Sequence, residues 1–272
     1  MGHLPSTGSV LSLPYVVGVS PTLTGRRILV TGVSRRIGIA YTVARVLADA
    51  GAAVFATGWA GADAEQPWGA DDTLPDLAGI VYLAADLAEP AAPARVVAAA
   101  YEALGGLDVL AAVHARSSAQ SLAELDAAEL DRTFAVNARA TLLLVKEFAA
   151  RFEGANGRVI TFSSGQHRGP MPGELPYIAS KAAIRELTPS LAAELGPRGI
   201  TVNCVNPGPV DTGYADAAAR TQLAREHPRG RWGTPADIAA VLVWLASAES
   251  DWLTGQTLDV DGGWSIRTRE GR

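Results

Sequence analysis

The chain has 272 residues, of which 48% are hydrophobic and 19% charged, and its formal net charge at pH 7 is −5. This length is enough for one domain with a sizeable core, and the acidic balance argues against a nucleic-acid-binding protein, which needs a basic surface. A single cysteine, Cys204, excludes an internal disulfide. The four histidines are scattered without the spacing of metal ligands, so we predict no metal site.

Residues 1–24 contain no lysine or arginine and are interrupted by Pro5, Pro14 and Pro21. A secretory signal needs a positively charged start and a continuous apolar stretch, so we interpret this segment as an irregular N-terminal extension. The sequence also lacks an uninterrupted run of about 18 apolar residues, the length that a membrane-spanning helix requires. We therefore expect no membrane partner and a cytoplasmic location, with residues 25–272 forming a single domain.

From Arg26 onward, short segments rich in β-branched residues alternate with segments whose apolar residues recur at helical spacing. This alternation predicts βαβ units and a parallel sheet. Gly61 to Asp76 is rich in Gly, Ala and Asp and is predicted to be a long loop that contains Trp68. The predicted strands are Arg27–Thr31, Ala53–Thr57, Ile80–Ala84, Val109–Val113, Val159–Ser163, Thr201–Asn206 and Thr257–Val260.

The first predicted strand runs into a glycine-containing turn, because Arg27 to Gly38 reads RILVTGVSRRIG. Gly32 and Gly38 bracket the turn, and a helix is predicted to begin near Ile37. Glycines in such a turn let the backbone approach a pyrophosphate, whose charge then lies at the helix N-terminus. Two glycines alone also occur in ordinary strand-to-helix turns, so the turn suggests a dinucleotide cofactor without establishing one.

The residues near the turn favour NADP(H) over NAD(H). An acid about 20 residues beyond the turn would bind the ribose 2′-hydroxyl of NAD, but Gly58 and Trp59 stand there. Arg35 and Arg36 lie in the turn itself, where a guanidinium can bind a 2′-phosphate through two hydrogen bonds. The alternative is that both arginines are solvated turn residues and that NAD(H) is used.

Tyr177 and Lys181 are four residues apart within a predicted helix, so their side chains share one helix face. An ammonium near a phenol favours the phenolate and lowers a pKa that normally lies near ~10. Such a tyrosine can exchange a proton with a carbonyl oxygen, and Ser164 ends the fifth strand, where its hydroxyl can bind the same oxygen. The alternative is an exposed Tyr/Lys pair that only supports the helix.

Several further motifs accompany these residues, and together they resemble the short-chain dehydrogenase/reductase family from about Gly25 to Ser265, in particular its 3-oxoacyl-carrier-protein-reductase-like subset. The resemblance implies an α/β fold with a single doubly wound Rossmann domain, a seven-stranded parallel sheet with helices on both faces, and a homo-oligomer, either a tetramer or a dimer. The motifs are TGVSRRIG at Thr31–Gly38, Asp86 after the third strand, VN at Val136–Asn137, Ser164, YIASK at Tyr177–Lys181, NPGPVDT at Asn206–Thr212, GRWGTPADIA at Gly230–Ala239 and LTGQTLDVDGG at Leu253–Gly263.

The resemblance also implies roles for individual residues. Ser164 would polarise the substrate carbonyl and Tyr177 would be the general acid/base. Lys181 would bind the nicotinamide ribose and depress the tyrosine pKa, and Asn137 would hold a water in the proton relay. The residues expected at the cofactor are Gly32, Ser34, Arg35, Arg36, Ile37, Gly38, Gly58, Trp59, Asp86, Leu87, His114, Ala115, Tyr177, Lys181, Pro207, Gly208, Val210 and Thr212.

Two positions depart from the family pattern. Ala112 to Ala115 reads AVHA where the family usually has NNAG, which removes asparagine hydrogen bonds at the centre of the sheet, and Arg36 replaces the middle glycine of the turn. We expect His114 to be packed or hydrogen-bonded rather than catalytic.

The substrate side of the site is less defined by sequence. His167, Met171 and Glu174 lie between Ser164 and the helix and are candidate substrate contacts, and residues 213–229 form a candidate lid.

These observations predict an NADPH-dependent oxidoreductase that transfers hydride between nicotinamide and a ketone or secondary alcohol. The substrate is a small carbonyl compound, free or carrier-linked. Two alternatives remain: imine or enoyl reduction on the same scaffold, and a non-catalytic NADP-binding regulator. The spacing of Tyr177 and Lys181 argues against enoyl reduction, whereas an imine substrate needs no change of motif.

Overall fold

Seven parallel strands form one sheet in the order β3-β2-β1-β4-β5-β6-β7. The computed structural model of the chain describes residues 22–73 and 77–267, so nearly all of the predicted extension 1–24 lies outside the described residues. The predicted seven-stranded parallel sheet is confirmed, and each predicted strand boundary lies within two residues of the observed one. The strands are β1 Arg27–Thr31, β2 Ala53–Gly58, β3 Val81–Ala84, β4 Val109–Ala112, β5 Gly157–Phe162, β6 Ile200–Asn206 and β7 Thr257–Asp259.

Helices cover both faces of the sheet because alternate residues of each strand point to opposite faces. On β1, Ile28 and Val30 pack with the helices α1 and α8, whereas Leu29 belongs to the cluster that contains α3 and α5. These two cores make the predicted doubly wound α/β domain. The helices are α1 Ile39–Asp49, α2 Ala60–Ala64, α3 Ala92–Leu104, α4 Ala127–Phe134, α5 Ala140–Arg151, α6 Leu175–Leu195, α7 Ala217–Glu226 and α8 Pro235–Ala246.

Three local predictions differ from the structure. Helix α1 begins at Ile39 rather than near Ile37. The predicted loop 61–76 overlaps α2, since the alanine-rich sequence AGADA favours a helix. The candidate lid 213–229 contains α7, whose first turn is capped by the Asp216 carboxylate accepting a hydrogen bond from the Ala219 amide at 2.8 Å.

The topology places a crevice at the carboxyl ends of the strands, between β1 and β4. The chain leaves β1 for β2 and β3 on one side and returns to β4 on the other, so the loops after β1 and β4 diverge at the carboxyl ends of the strands. A π-helical turn, Ala135–Arg139, joins α4 to α5 behind this crevice. No helix among the described residues is long and apolar enough to cross a membrane.

Candidate active site

A cavity of about 870 Å³ opens at the carboxyl ends of the strands. It brings together most of the residues that the sequence predicted for the cofactor, the proton transfer and the substrate. Four predicted residues do not line it: Arg36, Ile37, Asn137 and His167. The predicted residues that do line it are Gly32, Ser34, Arg35, Gly38, Gly58, Trp59, Asp86, Leu87, His114, Ala115, Ser164, Met171, Glu174, Tyr177, Lys181, Pro207, Gly208, Val210 and Thr212.

The turn after β1 has the backbone that a phosphate-binding turn requires. Gly32 adopts a φ of +87°, and a Cβ atom there would lie 2.7 Å from the Cα of His114. A Cβ atom on Gly58 would lie 2.1 Å from the Val33 carbonyl oxygen. No side chain caps the N-terminus of α1 at Gly38, so its first amides are available to an anion in the cavity. This part of the site fits a dinucleotide pyrophosphate.

The two turn arginines have different surroundings. The Arg35 guanidinium lines the cavity and lies 5.7 Å from the centre of the Trp68 ring. Arg36 turns away: its amide donates to the Asp71 carboxylate at 2.7 Å, and its guanidinium donates to the Thr73 hydroxyl at 2.8 Å. The predicted two-arginine phosphate patch is therefore reduced to Arg35, because Arg36 is held by the loop before β3.

Two acidic residues of the segment after β2, Asp63 and Glu65, also line the cavity. The Asp63 carboxylate accepts a hydrogen bond from the Trp68 indole at 3.3 Å. Glu65 forms ion pairs with Arg116 at 3.1 Å and with Arg132 at 3.5 Å. We did not predict these two arginines as site residues, since nothing in the local sequence brings them next to the loop.

Tyr177 and Lys181 enter the cavity from the first turns of α6, and Ser164 enters it from the end of β5. The Lys181 ammonium lies 6.0 Å from the centre of the Tyr177 ring and donates to the Phe162 carbonyl at 3.0 Å. Burial lowers the pKa of Lys181 to about 8. The three side chains thus share one wall of the cavity, as predicted.

The expected depression of the tyrosine pKa is not found. Burial raises the pKa of Tyr177 to about 12, the Ser164 hydroxyl opposes this rise, and the negative charge of Glu174 adds to it. The reason is that removal of the phenol from water disfavours the phenolate. At neutral pH the phenol is therefore protonated.

Asn137 lies behind the cavity, in the π-helical turn, and its side chain is fully hydrogen-bonded. It accepts from the Arg116 amide at 2.7 Å and donates to the Arg116 carbonyl at 3.0 Å and to the Ser180 hydroxyl at 2.9 Å. These bonds join the loop after β4 to α6, beside Lys181. The predicted role in a proton relay stays a prediction.

His114 is hydrogen-bonded in the interior, as expected. Its Nε2 lies 3.1 Å from the Val136 carbonyl oxygen, and its Nδ1 lies 2.6 Å from the Thr31 hydroxyl. Because a carbonyl only accepts, Nε2 carries the proton and Nδ1 accepts from Thr31. The imidazole therefore joins the ends of β1 and β4 to the π-helical turn.

His167 does not reach the cavity. Its Nε2 lies 3.1 Å from Asp259, a carboxylate on β7 that also accepts from Arg168 at 2.8 Å and from Asn206 at 2.8 Å. Burial disfavours the charge of Asp259, but these hydrogen bonds and neighbouring cations bring its pKa below the usual range. The sequence predicted a substrate contact for His167 because it lies three residues after Ser164. In the structure its ring is paired with Asp259 and does not line the cavity.

Comparisons with known proteins show the family of the chain. A family model described as enoyl-(acyl carrier protein) reductase matches residues 32–265. The chain belongs to the short-chain dehydrogenase/reductase family. It is 39% identical to an uncharacterized oxidoreductase of Bacillus subtilis over 241 residues, which cover 86% of this chain and 95% of the relative. It is 34% identical over 275 residues to an NADPH-dependent aldehyde reductase-like protein of Arabidopsis thaliana, covering 95% and 99% of the two chains.

Solved structures of this family superpose closely. A short-chain dehydrogenase of Burkholderia cenocepacia in complex with NADP has a TM-score of 0.79 and 35% identity, covering 90% of this chain and 99% of that chain. A dehydrogenase/reductase of Sinorhizobium meliloti has the same TM-score and identity, covering 91% and 98%. This short-chain dehydrogenase/reductase is therefore an oxidoreductase of the nicotinamide-dependent class.

Proposed function

We propose that the chain is a carbonyl reductase that interconverts a ketone and a secondary alcohol, with Tyr177 as general acid/base and NADP(H) as preferred cofactor. The observation that carries the proposal is the convergence of Ser164, Tyr177 and Lys181 on the same cavity as the glycine turn. Because one fold hosts many activities, these side chains and not the fold support the reaction.

The protonation state of Tyr177 suits reduction. With its pKa raised to about 12 by burial, the phenol carries a proton that it can give to a carbonyl oxygen. The Ser164 hydroxyl lies in the same wall and would donate a hydrogen bond to that oxygen. The nicotinamide cofactor supplies the hydride when bound. Lys181 places a positive charge beside the tyrosine, where it would stabilise the phenolate left after proton transfer.

The residues present fit a nicotinamide dinucleotide. The uncapped start of α1 would hold the pyrophosphate, and Arg35 would bind a 2′-phosphate. Asp86 and Leu87 would border the adenine, and Pro207 would lie at the nicotinamide end. The Burkholderia relative binds NADP, which supports this preference, whereas Asp63 at the same end of the cavity keeps NAD(H) as the alternative.

The decisive test of the chemistry is Tyr177→Phe, with Tyr101→Phe on α3 as the control for loss of a phenol outside the cavity. We expect Tyr177→Phe to lower kcat by about 100-fold or more, because general acid catalysis usually accelerates a reaction by at least that factor. NADPH binding should be retained in a fluorescence titration. Undiminished turnover of Tyr177→Phe would refute the acid/base assignment.

Cofactor preference is tested by titrating NADPH and NADH against the wild type, Arg35→Ala and Arg36→Ala. We expect Arg35→Ala to weaken NADPH binding by about tenfold or more and NADH binding little, because only NADPH carries the 2′-phosphate. Arg36→Ala is the matched control, since that side chain lies outside the cavity lining. Tighter binding of NADH than NADPH by the wild type would overturn the preference.

Enoyl reduction is the second candidate, because the matching family model is described as an enoyl-(acyl carrier protein) reductase. The four-residue spacing of Tyr177 and Lys181 favours the carbonyl reaction. A screen of ketones, imines, enoyl thioesters and 3-oxo thioesters with both cofactors separates these candidates.

We also propose a cytoplasmic homo-oligomer, a dimer or tetramer, on the strength of the family resemblance. Light scattering on the purified chain measures the oligomeric state, and a monomer at micromolar concentration would contradict it.

A further inference from the structure

Glu174 is a carboxylate in the wall of the cavity, immediately before α6 and three residues before Tyr177. Its side chain is partly buried. Within residues 22–73 and 77–267, no group forms a hydrogen bond or an ion pair with this carboxylate. Because a carboxylate accepts hydrogen bonds through both oxygens, Glu174 can bind a donor group of a ligand in the cavity.

The other acids in the cavity lining are all engaged. Asp63 accepts from the Trp68 indole at 3.3 Å, Glu65 pairs with Arg116 at 3.1 Å, and Asp86 accepts from the Ala88 amide at 2.8 Å. Each of these carboxylates therefore has a structural role in holding a loop at the cofactor end. Glu174 differs from them both in its position, three residues before Tyr177, and in its lack of a partner within the part of the chain that the structure describes.

Two cations of the cavity lining, Arg168 and Lys181, have partners other than Glu174, and a third, Arg267, stacks on Trp264 at 3.2 Å from the ring centre. The Arg168 guanidinium is paired with Asp259 at 2.6 Å, and the Lys181 ammonium donates to the Phe162 carbonyl. Burial raises the pKa of the Glu174 carboxyl, and no cation within residues 22–73 and 77–267 counteracts that rise. When ionised, the carboxylate is therefore a negative charge in the cavity wall that these residues do not compensate.

Tyr214 adds an aromatic ring to the same part of the wall. The ring lies 5.6 Å from that of Trp232, and Tyr214 lines the cavity with Tyr177. Burial raises the pKa of both phenols, and the negative charge of Glu174, which lines the same cavity, adds to the rise at both. A carboxylate beside an aromatic ring is the arrangement that attracts organic cations.

We propose that Glu174 and Tyr214 form a subsite for a positively charged nitrogen of the substrate, so that the preferred substrate is an amino ketone. This inference rests on the proposed function and names its substrate class. In the reaction, the carbonyl carbon gains a hydride from the reduced cofactor, which is oxidised, and the carbonyl oxygen gains the proton of Tyr177. The ammonium group is unchanged and serves only to orient the ketone.

The test uses two ketones of the same shape that differ in charge: N,N-dimethyl-4-oxopiperidinium, which is permanently cationic, and 4,4-dimethylcyclohexanone, which is neutral. Both are assayed with NADPH at pH 8 as kcat/KM, and their binding to the NADP-loaded protein is measured by isothermal titration. We expect the wild type to prefer the cation by roughly 10- to 100-fold, the range of a partly desolvated charge-assisted contact.

The variants are Glu174→Gln, which keeps the shape and removes the charge, and Tyr214→Leu, which removes the ring. Glu174→Gln should bring the cation-to-neutral ratio close to one, and Tyr214→Leu should lower it by a few-fold. The matched control is Glu194→Gln, which removes a charge from the exposed surface of the same helix and should leave the ratio unchanged. Thermal melting checks that each variant is folded.

Turnover and binding separate failure of the subsite from failure of the proposed reaction. Equal binding of the two ketones by the wild type, or a cation preference that survives in Glu174→Gln, overturns the subsite. Selective, Glu174-dependent binding of the cation without reduction of either ketone upholds the subsite and overturns the proposed carbonyl reduction.

Discussion

The buried imidazole of His114 is expected to make the native state less stable as the pH falls. His114 is 6% exposed and is held neutral between the Thr31 hydroxyl and the Val136 carbonyl. Burial, together with the positive charge of Lys181, lowers its pKa from 6.5 to about 3, and the bond to Val136 only partly offsets this. In the unfolded chain the same ring would titrate near its ordinary pKa of about 6.5.

The unfolded state therefore binds one more proton than the native state when the pH falls below about 6.5, and the native state loses stability. Each pH unit below that value costs about 1.4 kcal/mol, so at pH 4 this one residue removes about 3 kcal/mol relative to pH 7. That is a large part of the ~5–15 kcal/mol by which proteins are usually stable. The native state keeps this stability in full above about pH 6.5 and has lost all of it near pH 3.

The assay is urea denaturation of the protein between pH 4 and pH 7, for the wild type, His114→Phe and His114→Asn. At pH 7 both variants should be less stable than the wild type by roughly 1–3 kcal/mol, because buried partners of the imidazole lose a hydrogen bond. The deficit should shrink by about 3 kcal/mol on going to pH 4, equally in both variants, since both lack the titrating group.

Other carboxylates titrate in the same range, so the informative quantity is the difference between each variant and the wild type. If that difference stays constant from pH 7 to pH 4, the imidazole is not held neutral in the native state, and the argument from its buried hydrogen bonds is wrong.

Three further substitutions test the site and its supports. Lys181→Arg should lower kcat by about 100-fold or more, because a planar guanidinium cannot replace a compact ammonium beside the phenol; activity within a few-fold of wild type would contradict this. Asp259→Asn should lower both kcat and the melting temperature, since the loop after β5 loses its charged anchor, and an unchanged kcat would show that the anchor does not position that loop. Gly58→Ala should destabilise the fold by about 1–3 kcal/mol, because its Cβ would lie 2.1 Å from the Val33 carbonyl oxygen. In the control, Gly196→Ala, the added Cβ meets no atom of the described residues within 4 Å. Equal urea midpoints for the two variants would refute the clash.

Much of the architecture followed from local sequence patterns. The alternation of apolar strands with helical periodicity placed all seven strands to within two residues, because side-chain period is a local property of the chain. The spacing of Tyr177 and Lys181 put both on one helix face, and the structure has them in one cavity wall. The alanine-rich helix α2 was missed, since the glycines and aspartates around it favoured a loop.

The chemistry of individual side chains depended on distant contacts. Arg35 and Arg36 are neighbours in sequence and equivalent by residue type, yet only Arg35 lines the cavity, because Asp71 and Thr73 hold Arg36. The raised pKa of Tyr177 likewise reflects enclosure by the surrounding fold, which outweighs the effect expected of a lysine four residues away.

By itself, the sequence determined the fold class, because strand period and helix spacing act over a few residues. Its motifs, through the family resemblance that they carry, indicated the family and the side chains of the proposed chemistry. The tertiary structure alone decided which of those side chains face the cavity and in what protonation state. His167 illustrates the reason: its ring is held by Asp259, ninety-two positions further along the chain, and no local pattern encodes such a contact. The lack of a partner for the Glu174 carboxylate within residues 22–73 and 77–267 is likewise a tertiary property, because Arg168 is paired with Asp259 and Lys181 with the Phe162 carbonyl.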